Sequence, residues 1–306
     1  MMRDRALRLE GSNAVNVIRI GWVMLLLAAN LASATDETYT AEILQWRQNF
    51  DADVRNGRWL TGIGNFEIPP GTSTLGSSPR SSMRLPPLHA AKSIGKLVRH
   101  GNVVKFGPSP GIRAKIDGQT TSKPQILSMK SGVGRVQVGS IEFRVRPYAD
   151  GLYVFVDDLK NPSVAEFAGS KWYPVDDSYR VSATFVPYEK PAETRIPLTH
   201  IEWKQPMTST GDVVFTLGAQ NIRLKSYVDG DNLFIMFTDL TNGQDTYGGG
   251  RFIYAPLPKD GRTIVDFNKA FNPYCSVNQY VYCPIPPPEN RLDYRVAAGE
   301  QFQGHE

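Results

Sequence analysis

Cysteine, histidine and long apolar runs are all scarce in this chain, and each scarcity removes a class of protein. Only two cysteines, Cys275 and Cys283, occur in 306 residues, too few for a disulfide scaffold or a Cys-rich zinc module. The histidines are scattered: His89, His100 and His200 stand singly, and His305 lies in the tail. No HExxH helix, P-loop, dinucleotide fingerprint or calcium loop is present, so neither a metal nor a cofactor is expected. Charge of one sign is lacking too. The 34 Lys and Arg against 30 Asp and Glu give a formal charge of +4, without the concentrated basic face that a nucleic-acid partner demands.

The one apolar run near the N-terminus, Ile20 to Leu31, is shorter than the roughly 20 residues that span a bilayer. Arg3, Arg5, Arg8 and Arg19 precede it and Ala32-Ser33-Ala34 follows it, the layout of a cleavable signal peptide. Residues 1–34 are therefore read as that peptide. No cysteine follows the small residues, so a lipoprotein is not expected. The chain should be exported to a periplasm or beyond the cell, with no membrane attachment after cleavage. Cleavage removes four arginines and two acids and leaves a formal charge of +2.

What remains is rich in strand and turn signals. Residues 35–56 read as one amphipathic helix, with Ile43, Trp46, Phe50 and Val54 at helical spacing and Glu42, Arg47 and Asp53 between them. Beyond Gly57, glycine and proline punctuate short apolar runs. Ile141, Phe143 and Val145 alternate with Glu142, Arg144 and Arg146 as in a half-buried strand. The reading is a mainly β protein with two sandwich-like or barrel-like units of short antiparallel strands. The first would span residues 57–190 and the second 195–300, with a polar link at Glu189 to Thr194 and a tail at 301–306. Asp157 and Asp158 close a strand and point to opposite faces, so they are read as turn residues or as partners of Arg180 or Lys160. Asp229-Gly230 signals a hairpin. The rhythm of residues 70–150 is similar to forkhead-associated sandwiches, without the phosphate-binding set that phosphopeptide recognition requires.

Candidate chemistry concentrates between Phe234 and Glu300. Tyr247-Gly248-Gly249-Gly250-Arg251 could form a backbone nest for an anion, with Arg251 adding a fork of donors. The plainer reading is a tight turn with Arg251 paired to Asp239 or Asp266. Asp266 and Asn268 share one strand face, and with Asn272 they either orient a polar ligand or cap a turn. Glu289 is the leading candidate for a general acid or base, against a simple salt bridge to Arg291 or Arg251. Asn290 and Arg291 complete the candidate set. Cys275 and Cys283 enclose a small loop and are read as a disulfide worth about 2.5 kcal/mol, with a reactive free thiol as the alternative. Gly107-Pro108-Ser109-Pro110-Gly111 fits the G-x-S-x-G pattern, but Pro110 has no N–H to lend an oxyanion hole.

The segments FTDLTNGQDTYGGGRF, DFNKAFNPYC, CPIPPPENRL and AAGE resemble the hallmark segments of the domain-of-unknown-function family numbered 1684, found in bacteria and archaea. WYPVDDSYRVSATFVP and Trp46-Arg47 resemble its upstream segments. The resemblance runs from about Tyr39 to Glu300 and implies no activity and no catalytic residues. The residues therefore point to a polar or anionic small molecule, or a glycan, as the ligand of the C-terminal unit. A hydrolase using Glu289 or Asp266 as general base and a purely structural or protein-interaction module are the alternatives.

Overall fold

The computed structural model describes residues 37–87, 90–116, 118–127 and 134–302. The expected signal segment, His89 and His305 lie outside the described residues. The chain divides into two contact units, one up to Trp46 and one from Arg47 onward. Helix α1, residues 37–56, crosses that boundary. Its buried positions include Ile43, Arg47, Phe50 and Val54, the spacing that keeps residues on one face of a helix. Trp46, expected on that stripe, is only half-buried, and Arg47, expected on the polar side, takes the buried place. The guanidinium of Arg47 donates to the carbonyls of Tyr173 (3.0 Å) and Asn268 (3.3 Å) and lies 4.9 Å over the Trp172 ring. Those partners satisfy a charge that burial would otherwise penalise. Among the described residues, no helix is long and apolar enough to cross a membrane.

The protein is mainly β. One six-stranded sheet has the order β1-β11-β10-β9-β6-β7. It is formed by β1 (Gly62–Glu67), β6 (Ala114–Ile116), β7 (Gln119–Thr121), β9 (Gly134–Val138), β10 (Ile141–Tyr148) and β11 (Gly151–Asp158). A five-stranded sheet of order β3-β2-β4-β5-β8 joins β2 (Gly71–Gly76), β3 (Met83–Arg84), β4 (Gly95–His100), β5 (Val103–Pro108) and β8 (Gln125–Ile126). Both sheets contribute to a single apolar core, where Phe106 of β5 meets Phe143 of β10 edge-on at 5.0 Å. That makes a sandwich. The alternation in β10 holds: Ile141, Phe143 and Val145 face the core, and Arg144 and Arg146 face away.

A second six-stranded sheet, of order β17-β16-β15-β14-β13-β18, curls until it is nearly closed. It comprises β13 (Arg180–Leu198), β14 (Ile201–Leu217), β15 (Gln220–Asp229), β16 (Asn232–Phe237), β17 (Arg251–Pro256) and β18 (Arg262–Asp266). Its separate core packs Phe267 against Phe215 and Phe237. The strands are not all short. The polar stretch expected to link two units, Glu189 to Thr194, lies inside the 19-residue strand β13, and only the pairing register slips there, between Pro187 and Ala192. Charged side chains along an exposed strand look like a linker because nothing apolar marks their pairing. Between the two cores runs a connector with helix α2 (Pro162–Glu166) and strand β12 (Lys171–Trp172), which pairs with β19 (Glu300–Gln301).

Candidate functional site

Most of the residues expected to bind a ligand are consumed in holding the barrel together. The Arg251 side chain is fully enclosed, and its Nη2 donates to Asp239 Oδ2 (3.0 Å), the Val296 carbonyl (2.9 Å) and Thr241 Oγ1 (3.3 Å). Nη1 donates to the carbonyl of Ala298. Burial pulls its pKa down while Asp239 opposes that pull. Asp239 also accepts from the backbone N–H of Val296 at 2.8 Å. The pair therefore ties the C-terminal segment to the barrel and is closed to a ligand. Gly250 does take a positive φ of 92°, but a Cβ there would meet the Phe237 carbonyl at 2.7 Å. With backbone so close, Gly250 sits in a packed turn in place of an open nest, and Gly249 lies against the Tyr247 ring.

The other expected residues are also structural. Asp266 caps a 3-10 turn by accepting from Asn268 N at 3.0 Å. Asn268 is buried, donates to the Asp176 carbonyl at 2.8 Å and accepts from the Asp176 N–H at 3.0 Å. They are thus not a polar face offered to solvent. Asn290 bridges Lys225 and the Met236 carbonyl. Glu289 is half exposed and pairs with Lys225, which holds its carboxyl below the usual range. It is poorly suited to accept or return a proton near neutrality. Arg291 is solvent-exposed, and its side chain lies 3.9 Å from that of Asp293. Asp157, read as a turn residue or a partner of Arg180 or Lys160, bonds Arg144 (2.9 Å) and Thr61 (2.8 Å), whereas Asp158 does close the turn through Lys160 N.

The cysteines correct another expectation. Cys275 and Cys283 are both free and buried. Cys283 Sγ accepts from the Cys275 N–H at 3.2 Å. Their mutual hydrogen bonding lowers the Cys275 pKa and, with burial, raises that of Cys283. The loop needs no covalent closure, since Thr199 bonds Cys283 at both N–H and C=O and Asn278 bonds the Trp59 and Gly62 carbonyls. Tyr247 lies above this pair, with its hydroxyl 3.9 Å from Cys275 Sγ, and its own pKa is pushed up by burial to about 12.

One expected residue, Asn272, does border an opening. A cleft of about 340 Å³ lies against the connector, with Phe167, Ser170, Asn272, Ser276 and Glu300 in its walls. Glu300 is the group that sets it apart. Its carboxyl is buried, and it has no salt bridge to Lys or Arg among the described residues. Oε2 accepts from the Asn272 N–H at 2.7 Å, and the Ser170 hydroxyl also bonds the carboxyl. Burial is the largest influence on it, and nearby Asp51 adds to the effect, so its pKa is pushed up to about 7. Asp51 in turn accepts from Ser170 N at 3.1 Å. Helix α1, the connector and the 272 turn therefore converge around one buried carboxyl. Strongly shifted carboxyls in a cleft are where binding and catalysis concentrate. Glu300, Ser170 and Asp51 were not singled out from sequence. Glu300 closes the AAGE segment, but a lone glutamate carries no mark of its burial. No cluster of three or more metal-ligating side chains occurs among the described residues.

Fold and cleft together define a mainly β protein with a buried carboxyl of raised pKa in the wall of a cleft. The family model described as "Protein of unknown function (DUF1684)" matches residues 165–301, which include most of the connector, the barrel and Glu300. Residues 165–301 therefore resemble this family, as the motifs of the sequence implied. Trp46-Arg47 lies outside the matched residues. Among solved structures, the chain is similar to the solution NMR structure of an uncharacterized protein of Haloarcula marismortui. The two are 30% identical with a TM-score of 0.39, over 45% of this chain and 78% of the other. A search of curated proteins finds no match.

Proposed function

We propose that the protein binds a small, uncharged polar molecule, a sugar or other polyol, in the cleft beside Ser170 and Asn272, with Glu300 fixing it. The observation that carries this reading is the Glu300 carboxyl, buried in the cleft wall without a salt bridge among the described residues. Such a group is costly to keep unless it serves a purpose. Protonated, it donates to a ligand oxygen; ionised, it accepts from ligand hydroxyls. An anion is disfavoured, because Arg251 is committed to Asp239 and a carboxylate in the wall repels negative charge. We further propose that binding follows export to a periplasm or beyond the cell, supported by the arginines and apolar run of residues 1–34.

The test is a thermal-shift screen of the full chain and of Glu300→Gln against sugars, polyols and anionic metabolites at pH 6 and pH 8. A neutral polyol should raise the midpoint of the native protein and lose at least tenfold in affinity with Glu300→Gln. Equal binding by both proteins, or shifts only with anions, sinks the reading. Cell fractionation with and without residues 1–34 tests export. A second reading, hydrolysis with Glu300 as the proton-transfer group, draws on its pKa of about 7, the value that general acid–base work at neutral pH uses. It requires turnover that disappears with Glu300→Gln.

A further inference from the structure

A second cleft, of about 320 Å³, lies on the outer face of the first sheet and shares no lining residue with the Glu300 cleft. Its floor is the face of β10 and β11 that strand alternation turns away from the sandwich core, bearing Arg144, Arg146 and Phe155. That face is partly covered. Tyr280 and Tyr282 of the Cys275–Cys283 loop stand over it, with Asn65 Nδ2 3.4 Å from the Tyr280 carbonyl and Tyr282 stacked on Tyr148 at 5.8 Å.

The charges in this cleft do not balance. Asp157 pairs with Arg144 at 2.9 Å and faces Arg58 at 3.8 Å. Glu142 pairs with Arg58 and faces Arg135 at 3.4 Å. Both acids are thereby committed to other arginines. Arg146 has no carboxylate within 4 Å among the described residues, and its guanidinium lies instead 4.4 Å over the Phe155 ring and 5.5 Å from that of Tyr148. Burial, and then Arg144, hold its pKa below the usual arginine value. An arginine in this state has a stacked face, free N–H donors on its edge and unmatched positive charge. Trp59 completes the aromatic wall.

We infer that this cleft is a second binding site, for a small organic anion carrying a flat ring, in which Arg146 holds the anionic group and Tyr148, Tyr282 and Trp59 enclose the ring. Ring and charge must be on one molecule, because the aromatic wall and the unmatched cation belong to one cleft. Neither half explains the site alone. An anion without a ring would leave the aromatic wall bare, and a neutral ring would leave the positive charge of Arg146 unmatched.

Isothermal titration of the full chain with phenyl phosphate tests this, with benzoate in parallel to tell a phosphate preference from a carboxylate one. Inorganic phosphate and benzyl alcohol serve as the charge-only and ring-only probes. Saturable binding of phenyl phosphate or benzoate is expected, at least tenfold tighter than either control. Arg146→Gln should weaken it at least fivefold, whereas Arg135→Gln, outside the cleft, should leave it unchanged. Arg146→Lys, which keeps charge but not the planar stack, replaces Arg146→Gln if that variant does not fold, and should also weaken binding. Inorganic phosphate binding as tightly as phenyl phosphate, binding unaltered by either Arg146 variant, or no saturable binding of the two ring anions would each overturn the proposal.

Discussion

The guanidinium of Arg251 has no exposure to solvent, and its partner Asp239 has none either. Removing one member of such a pair leaves an uncompensated charge in the interior, which costs far more than the pair itself contributes. Arg251→Ala should therefore lose about 3–5 kcal/mol in urea unfolding. The double variant Arg251→Met with Asp239→Asn should lose less than the two single changes combined. Additive losses would show that the two charges are not coupled as the geometry requires. The same contrast explains why residue chemistry was only half legible from sequence. Arg251, Asp239 and Glu289 are all polar residues in a Gly- and Pro-rich stretch, and their composition suggested a pocket. Pairing with Asp239 was one of two readings open for Arg251, but nothing in the letters said that Glu289 meets Lys225 from β15, 64 positions away. Partners distant in sequence are decided by strand register.

At the scale of elements, legibility depended on period. In β10 the alternation Ile141, Phe143, Val145 showed both the strand and its inward face. The Asp229-Gly230 signal likewise marks the turn between β15 and β16, where Gly230 adopts φ 57°. The long hairpin of β13 and β14 stayed hidden, because residues 187–195 carry prolines and charges where an apolar face would have announced a strand. The turn that delivers Glu300 is another such case. Gly299 takes a φ of 80°, and a Cβ on it would meet the carbonyl oxygens of Ala270 and Phe267 at 2.5 and 2.7 Å. Both obstacles are backbone, so relief would have to move Glu300 away from Asn272. Gly299→Ala should cost roughly 2 kcal/mol, combining a strained dihedral with a steric conflict. It should also weaken any ligand of the Glu300 cleft. A variant of native stability, measured by urea unfolding, would contradict this account of the turn.

At the scale of the whole molecule, the connector lies where two cores with no buried residue in common are joined. The mainly β class and the family resemblance of residues 165–301 were readable from strand rhythm and long ordered segments. The cleft was not, since it depends on helix α1, the connector and the 272 turn meeting at Glu300. That convergence has a consequence for pH. The Glu300 carboxyl keeps its proton up to about pH 7 in the folded protein, against a value of 4.5 for a free glutamate. A raised carboxyl pKa means that the folded state binds more protons than the unfolded chain between those limits. Stability must therefore fall as pH rises from about 4.5 to 7, by a total on the order of 3 kcal/mol, and the contribution of this group must become flat above that window. Glu289 acts in the opposite sense, since its carboxyl is lowered by Lys225, so the raw profile mixes the two. Glu300→Gln separates them. The amide still accepts from Asn272 N–H and donates to the Ser170 hydroxyl, but it does not titrate. Urea unfolding of both proteins at half-unit steps from pH 4 to 8 should give a difference that grows in favour of the variant across the window and then levels. A constant difference would mean that Glu300 titrates as an ordinary glutamate, and the cleft would lose the one group that distinguishes it.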